Sequence, residues 1–307
     1  MAVKGFLTHV IECIRRETGE PTTNAKYSDD VLIEYIENAW TAVLQDIASR
    51  SQRDYTTFFD IAYSEDKTDY PLPPTVGQVV CVEHRSSDAS QIYGYVFPVL
   101  PASSLDGWTI KSGVLHLNST AGYNDGDILR VIYKPLGCIR MHEGVAAALT
   151  NDADNNECSI TLCTTPTKGA VDKRPHAYVG ATLRILGADT NDFEQLRLIK
   201  SHDVKQNKVV VFPAFDSDLV PSGNVVYEIA PPIPQSLRTP ISLKVSRHIL
   251  ALEGNREHLR LIELEYTDAL QTLCAIEDNL DGILGKIPSR QRAESPYEGI
   301  YRRRQIW

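Results

Sequence analysis

Residues Ser28–Ser51 read SDDVLIEYIENAWTAVLQDIASRS, and Gln52–Pro74 continue as QRDYTTFFDIAYSEDKTDYPLPP. Ser28 is placed as an N-cap, and Asp29 and Asp30 fall in the first turn, where the helix dipole favours negative charge. Leu32, Ile36, Trp40, Val43 and Ile47 then recur at spacings of three and four, with Tyr35, Ala39 and Leu44 widening the stripe. That period predicts an amphipathic helix with one face against a partner. About 24 residues at a rise of about 1.5 Å make a rod of roughly 36 Å. Such a rod needs other helices to cover it, and the chain ends supply them.

Working outward, residues 4–17 predict a first helix with Phe6, Leu7, Val10, Ile11 and Ile14 on one face. Gly19, Pro21 and the polar run after it separate the two. Near the other end, Ile241, Val245, Ile249 and Leu252 repeat the helical spacing up to Gly254. Asn255 can cap a second long helix that carries Leu259, Ile262, Tyr266, Leu270, Leu273 and Ile276.

The middle reads as β. Strands are expected at Tyr55–Tyr63, Gln78–His84, Tyr93–Leu100, Val114–Asn118 and Ile128–Tyr133. Ser64–Thr68 reads as a hairpin turn, and Asn124-Asp125-Gly126 marks a tight turn. A second set falls at Ser159–Cys163, Ala177–Leu186, Phe193–Ser201, Val209–Phe212 and Val225–Ala230, with a turn at Asp203–Asn207. The expected class is therefore α+β: a helical bundle built from both chain ends, with antiparallel β modules (barrel or sandwich) inserted. The units would be helices at 1–54, a first β unit at 55–143, a second at 144–232, helices at 235–281 and an extended arm at 282–307.

Composition bounds the function. A chain of 307 residues with 42% hydrophobic and 23% charged residues is ordinary for a globular protein of about two units. No run approaches the roughly 18 apolar residues of a membrane span. The first residues have amphipathic spacing and no small-residue cleavage site, so they read as helix, not as a signal peptide. Cys13, Cys81, Cys138, Cys158, Cys163 and Cys274 form no Cys-x-x-Cys pair, which favours a reduced, intracellular protein. A net charge of −9 argues against a surface that coats nucleic acid.

No constellation in the sequence carries catalysis. Gly282, Gly285 and Lys286 lack the spacing, the hydroxyl residue and the preceding strand of a phosphate loop. Asp152, Asp154 and Asn156 open like a calcium loop, but Glu157 and Cys163 stand where Gly and the bidentate Glu belong. Cys158 and Cys163, five apart, would point to opposite faces of one strand. His142-Glu143 stands alone, and there is no Gly-x-Ser-x-Gly elbow. Neither an enzyme nor a cofactor is expected. Glu263, Glu265, Asp268, Glu277, Asp278 and Asp281 make the last helix acidic, which serves solubility or, alternatively, a channel wall that repels nucleic acid.

The end of the chain differs. After Gly285, Lys286, Arg290, Arg292, Arg302, Arg303 and Arg304 face only Glu294 and Glu298. Tyr297, Ile300, Tyr301, Ile306 and Trp307 lie among them. Arginines alternating with aromatics are the residues of interface anchors. The candidate partner-binding residues are Arg290, Arg292, Tyr297, Ile300, Tyr301, Arg302, Arg303, Arg304, Ile306 and Trp307.

The long helix with Trp40 mid-way, the strand TTFFDIAY and then Tyr70, Pro71, Leu72 and Pro73 before a Val-rich strand resemble the head-to-tail adaptor (connector) proteins of tailed bacteriophages. Tyr178, Gly180, Leu183, Ile185 and Leu186, with Val211 to Phe215 and Tyr227 to Ile229, resemble a small β module of phage structural proteins. The resemblance implies a non-enzymatic virion protein, assembled in the host cytoplasm as a dodecameric ring below the portal. It implies as partners the portal protein, gripped by the C-terminal arm, a tail nozzle or tail-tube protein, and further copies of itself. DNA would pass through without sequence-specific binding, and no membrane is involved. A β-rich tail, baseplate or fibre component is the alternative, and a tail-associated hydrolase the third.

Overall fold

The computed structural model describes residues 4–21, 23–51, 55–85, 95–97, 107–117, 124–137, 139–146, 149–151, 157–186, 195–212, 214–215 and 225–279. Its helices are α1 (Phe6–Thr18), α2 (Asp29–Ser51), α3 (Arg238–Glu253) and α4 (Arg256–Asn279). At the head of α2 the Ser28 hydroxyl accepts from the Val31 N–H at 3.4 Å, and Asp29 and Asp30 occupy the first turn. Of the predicted stripe, Leu32, Ile36, Ala39, Trp40, Val43, Leu44 and Ile47 are buried and Tyr35 is half-buried. Gly19 and Gly254 end α1 and α3 in the left-handed conformation, at φ 72° and 70°, where a Cβ would be strained.

The four helices share one core. Leu7, Val10 and Ile14 of α1 meet Leu32, Ile36 and Trp40 of α2, Ile241 and Val245 of α3, and Ile262 and Leu270 of α4. α1 packs chiefly on α3 and only lightly on its sequence neighbour α2. Met141 and Ala230 join the same core from the sheet beneath.

Sheets nevertheless dominate, and the expected class, a helical bundle with β modules inserted in it, is corrected. Fifteen strands in three antiparallel sheets of four, eight and three stand against four α-helices among the described residues. The physical reason lies in signal strength. A 23-residue stripe with a period of 3.6 is conspicuous in sequence, whereas strands of two to nine residues are not. Five strands, at Asp69–Pro71, Trp108–Lys111, His142–Ala146, Leu149–Asn151 and Lys168–Gly169, fall outside the expected ones.

The four-stranded sheet has the order β1 (Thr57–Ala62), β7 (Ile128–Lys134), β3 (Gln78–Arg85), β4 (Tyr95–Phe97). The three-stranded sheet has the order β2 (Asp69–Pro71), β6 (Val114–Leu117), β5 (Trp108–Lys111). Ser64–Thr68 is therefore no β-hairpin, because β1 pairs with β7 and β2 pairs with β6. Tyr70 and Pro71 lie in β2 at a sheet edge, where proline costs no ladder bond, and Leu72 and Pro73 follow it. The Tyr70 hydroxyl there closes the preceding loop through Ser64 N and the carbonyls of Ser64 and Lys67.

The eight-stranded sheet runs β11 (Lys168–Gly169), β8 (His142–Ala146), β15 (Val225–Ala230), β12 (Thr182–Ile185), β13 (Gln195–Asp203), β14 (Lys208–Phe212), β10 (Cys158–Thr161), β9 (Leu149–Asn151). β8 and β9 lie near opposite ends of this order, yet only three Cα steps separate Ala146 from Leu149, a reach of at most about 11 Å. The sheet must therefore roll until its ends meet, as in a small barrel. Leu183, Ile185, Ile199, Val209, Val211 and Ile229 fill its interior.

Ala177–Gly180, expected as strand, is a turn. Gly180 has φ +77°, and a Cβ there would lie 2.6 Å from the Tyr133 hydroxyl. This close approach joins the barrel to the four-stranded sheet, and Thr75 Oγ1 donating to the Val179 carbonyl at 3.3 Å is part of the same seam.

Candidate functional site

Three places in the molecule concentrate polar chemistry. The first is the seat of α1 on the barrel. Gly5 at its N-cap has no side chain to offer, and the sheet supplies the acceptors instead. Glu228 of β15 accepts from the Phe6 N–H. Glu143, its cross-strand partner on β8, accepts from the Thr8 N–H at 2.9 Å and from the Thr8 hydroxyl at 2.6 Å. Arg184 of β12, 1% exposed, pairs with Glu228 at 2.5 Å. Burial pushes the Glu228 carboxyl up from its ordinary range, and Arg184 and the Phe6 N–H partly oppose this. Gly5 is required here, because a Cβ would come within 2.1 Å of Glu143.

Further carboxylates bind the helices to each other and to the barrel. Glu37 of α2 accepts from the Met141 N–H at 2.8 Å, and burial raises its pKa above the usual range. Asp29 pairs with Arg15 and with Lys168 of β11, both at 2.6 Å. Asp46 of α2 receives Lys244 of α3 at 2.7 Å and the Tyr266 hydroxyl of α4 at 2.6 Å. Burial works to raise Asp46, but those two donors outweigh it and hold its pKa low.

The second place is a buried relay. His142, wholly buried, lies between two phenols, with Nδ1 3.2 Å from Tyr178 Oη and Nε2 3.3 Å from Tyr227 Oη. Tyr178 Oη accepts from the Asp172 N–H, and Tyr227 Oη accepts from the Cys163 N–H at 2.9 Å and touches Cys163 Sγ at 3.2 Å. One assignment leaves no proton without an acceptor: Tyr178 donates to Nδ1, Nε2–H donates to Tyr227, and Tyr227 donates to Sγ. Burial holds the His142 imidazolium pKa down at about 4, so the ring is neutral. Both ends of the relay are groups of the protein itself, and its role here is to fix two large phenols. Cys158 and Cys163 do not share a strand, because Cys163 lies beyond β10, but each packs on the barrel core as the small core residue that was expected.

The third place is the outer face of α4. Ile262, Tyr266 and Leu270 turn inward, and the opposite side carries Leu261 and Leu264, 53% and 65% exposed. Glu257, Glu265 and Asp268 are exposed on that same side. Two leucines bordered by these carboxylates and by the exposed Arg260 are thus left uncovered by the described residues.

No protein-family model matches the sequence, and a search of curated proteins finds none similar to it. The geometry must carry the reading alone.

The ten arm residues from Arg290 to Trp307, the glycines at 282 and 285 with Lys286, and Asp152, Asp154 and Asn156 lie outside the described residues. So do Asp281 and the side chains of Glu277 and Asp278, whereas Glu263, Glu265 and Asp268 are exposed as an acidic helix face requires. Among the described residues no three His, Cys, Asp or Glu side chains are placed to hold a metal ion, and no helix is long and apolar enough to cross a membrane. Sequence reasoning set His142-Glu143 aside as standing alone and passed over Arg184 and Glu228, which the fold brings to its two polar centres. Their signal was present: a charge inside an otherwise apolar strand, as in TLRIL and VVYEIA, has to be paired.

Proposed function

We propose that the chain is a structural ring subunit of the head-to-tail adaptor kind, seated below the portal of a tailed bacteriophage and continuing its DNA channel. The observation that carries this reading is the outer face of α4, whose exposed leucines Leu261 and Leu264 sit on the helix that leads into the arm at 282–307. Exposed leucines at helical spacing suit a covering surface, and the described residues leave them open. In this reading the arm residues Arg290, Arg292, Tyr297, Ile300, Tyr301, Arg302, Arg303, Arg304, Ile306 and Trp307 anchor the portal. The sheets face a tail nozzle or tail-tube protein, and DNA passes the acidic helix without being held.

Deleting residues 286–307 should abolish capture by purified portal protein while the far-UV spectrum and unfolding midpoint stay unchanged. Equal capture of the truncated chain would remove the arm from the proposal. The predominance of sheet favours a second reading, a β-rich tail, baseplate or fibre component. It predicts trimers, which native mass spectrometry separates from a larger ring.

A further inference from the structure

Tyr178 and Val179 are neighbours in sequence but enter different cores. Tyr178 is buried inside the barrel, and Val179 packs into the core formed by Phe59, Trp108 and Tyr133 of the other two sheets. The turn that carries them is tied on both sides. The Gly180 N–H donates to the Ile199 carbonyl of β13 at 2.9 Å, and Thr75 Oγ1 donates to the Val179 carbonyl. It is a rivet between the barrel and the four-stranded sheet.

The barrel end of this rivet rests on two imidazoles. The rings of His142 on β8 and His202 on β13 lie 5.5 and 4.6 Å from the Tyr178 ring, centroid to centroid. His202 is 5% exposed, and neither of its nitrogens has a hydrogen-bond partner among the described residues. A neutral imidazole tolerates that position, whereas an imidazolium there is a buried cation with no acceptor. His142 meets the same limit by another route. A proton on Nδ1 turns the acceptor of the Tyr178 hydroxyl into a donor. The Tyr178 oxygen already receives the Asp172 N–H, and its own hydrogen then loses its acceptor.

The charged groups around the pair offer little relief. Asp172 favours a cation on both rings, but its carboxylate is held by Arg174 at 2.6 Å and by the Arg140 N–H. His176 opposes a charge on His202, and Asp203, which favours one, is exposed. The other groups nearby are the Tyr227 phenol and the Cys163 thiol. Glu143 is bound to Thr8 and Glu37 to the Met141 N–H. Burial outweighs the carboxylates and holds both imidazoles below the ordinary histidine range.

We propose that the turn at 172–180 is an acid-released rivet: when His142 and His202 take up protons, Tyr178 leaves the barrel core and the seam with the four-stranded sheet loosens, while the helices keep their packing. In the opened turn both rings meet water and carry their charge freely, so acid shifts the local equilibrium toward opening. The ring-subunit reading is not needed for this, since both ends of the rivet lie within one chain.

The test is amide exchange on the full chain between about pH 7 and about pH 4.5, corrected for the intrinsic pH dependence of exchange, with His202→Leu, His142→Gln and the pair as variants. In the wild type, protection at Ala177–Ala181 should fall at least about tenfold in acid, while protection in α2 and α3 holds. His202→Leu removes no hydrogen bond among the described residues, so it should fold and show a smaller fall. The pair should show almost none, and His176→Gln, at an exposed position, should behave as wild type. Unchanged protection of the turn in acid would overturn the proposal, as would an equal loss across α2 and α3. So would a fall of full size in His202→Leu or in the pair, which would place the titration on Asp172, Asp203 or Glu37.

Discussion

Replacing Glu228 by alanine tests how the helical layer is held to the barrel. Glu228 is 4% exposed, Arg184 is 1% exposed, and the two are 2.5 Å apart. Alanine leaves the guanidinium buried without its carboxylate, a change that costs about 3–5 kcal/mol in comparable sites. It also removes the acceptor for the Phe6 N–H at the start of α1, a capping loss of about 1 kcal/mol. The two effects share one side chain, so a total of about 4 kcal/mol is expected. Arg184→Met alone should cost less, because it removes the buried cation and leaves Glu228 on the helix terminus. The double variant should be more stable than Glu228→Ala alone, giving a favourable coupling in a double-mutant cycle. Urea unfolding supplies the free energies, and amide exchange across Phe6–Val10 locates the damage. A loss below about 1 kcal/mol, or strictly additive changes, would refute the idea that this pair seats α1.

Other expectations follow from single side chains. His142 has an ordinary pKa when unfolded and about 4 when folded. Its contribution is therefore present above about pH 6.5 and lost as the pH falls toward 4, on the order of 3 kcal/mol in all. His142→Phe should flatten that part of the stability profile, and parallel profiles for variant and wild type would contradict it. Glu37 has its pKa raised by burial, so its contribution is fully present at low pH and is lost as the pH rises. Glu37→Gln, which keeps an acceptor for the Met141 N–H, should be at least as stable as wild type at pH 7, with the advantage vanishing toward pH 4; a less stable variant at pH 7 would show the charge itself to be needed. Gly180→Ala places a Cβ against the Tyr133 hydroxyl at positive φ and should cost roughly 1–3 kcal/mol. Tyr133→Phe in the same chain should recover part of that, as read from the unfolding midpoint.

The helices were legible because their signals are long. Leu32 to Ile47 and Ile262 to Leu270 repeat at helical spacing, and burial follows that spacing. The class was not legible, for reasons that particular strands make plain. His142–Ala146 is buried at four of its five positions and shows no alternation, and Arg184 within the expected strand Ala177–Leu186 looks like a solvent residue until Glu228 is placed beside it. β9 and β11 have three and two residues and no pattern of their own. The pairing of β1 with β7 spans a sequence gap that local turn rules cannot cross, which is why Ser64–Thr68 read as a hairpin. For the site, charge and exposure on α4 were foreseeable from Glu263 to Asp268, whereas the polar centre around His142 depends on β8, β15 and the turn at Ala177–Gly180 meeting.

The most direct test of the ring-subunit account is imaging of the full chain bound to portal protein. The account predicts a closed ring of many copies around an open channel. Trimers, or portal particles bearing no such density, would contradict it.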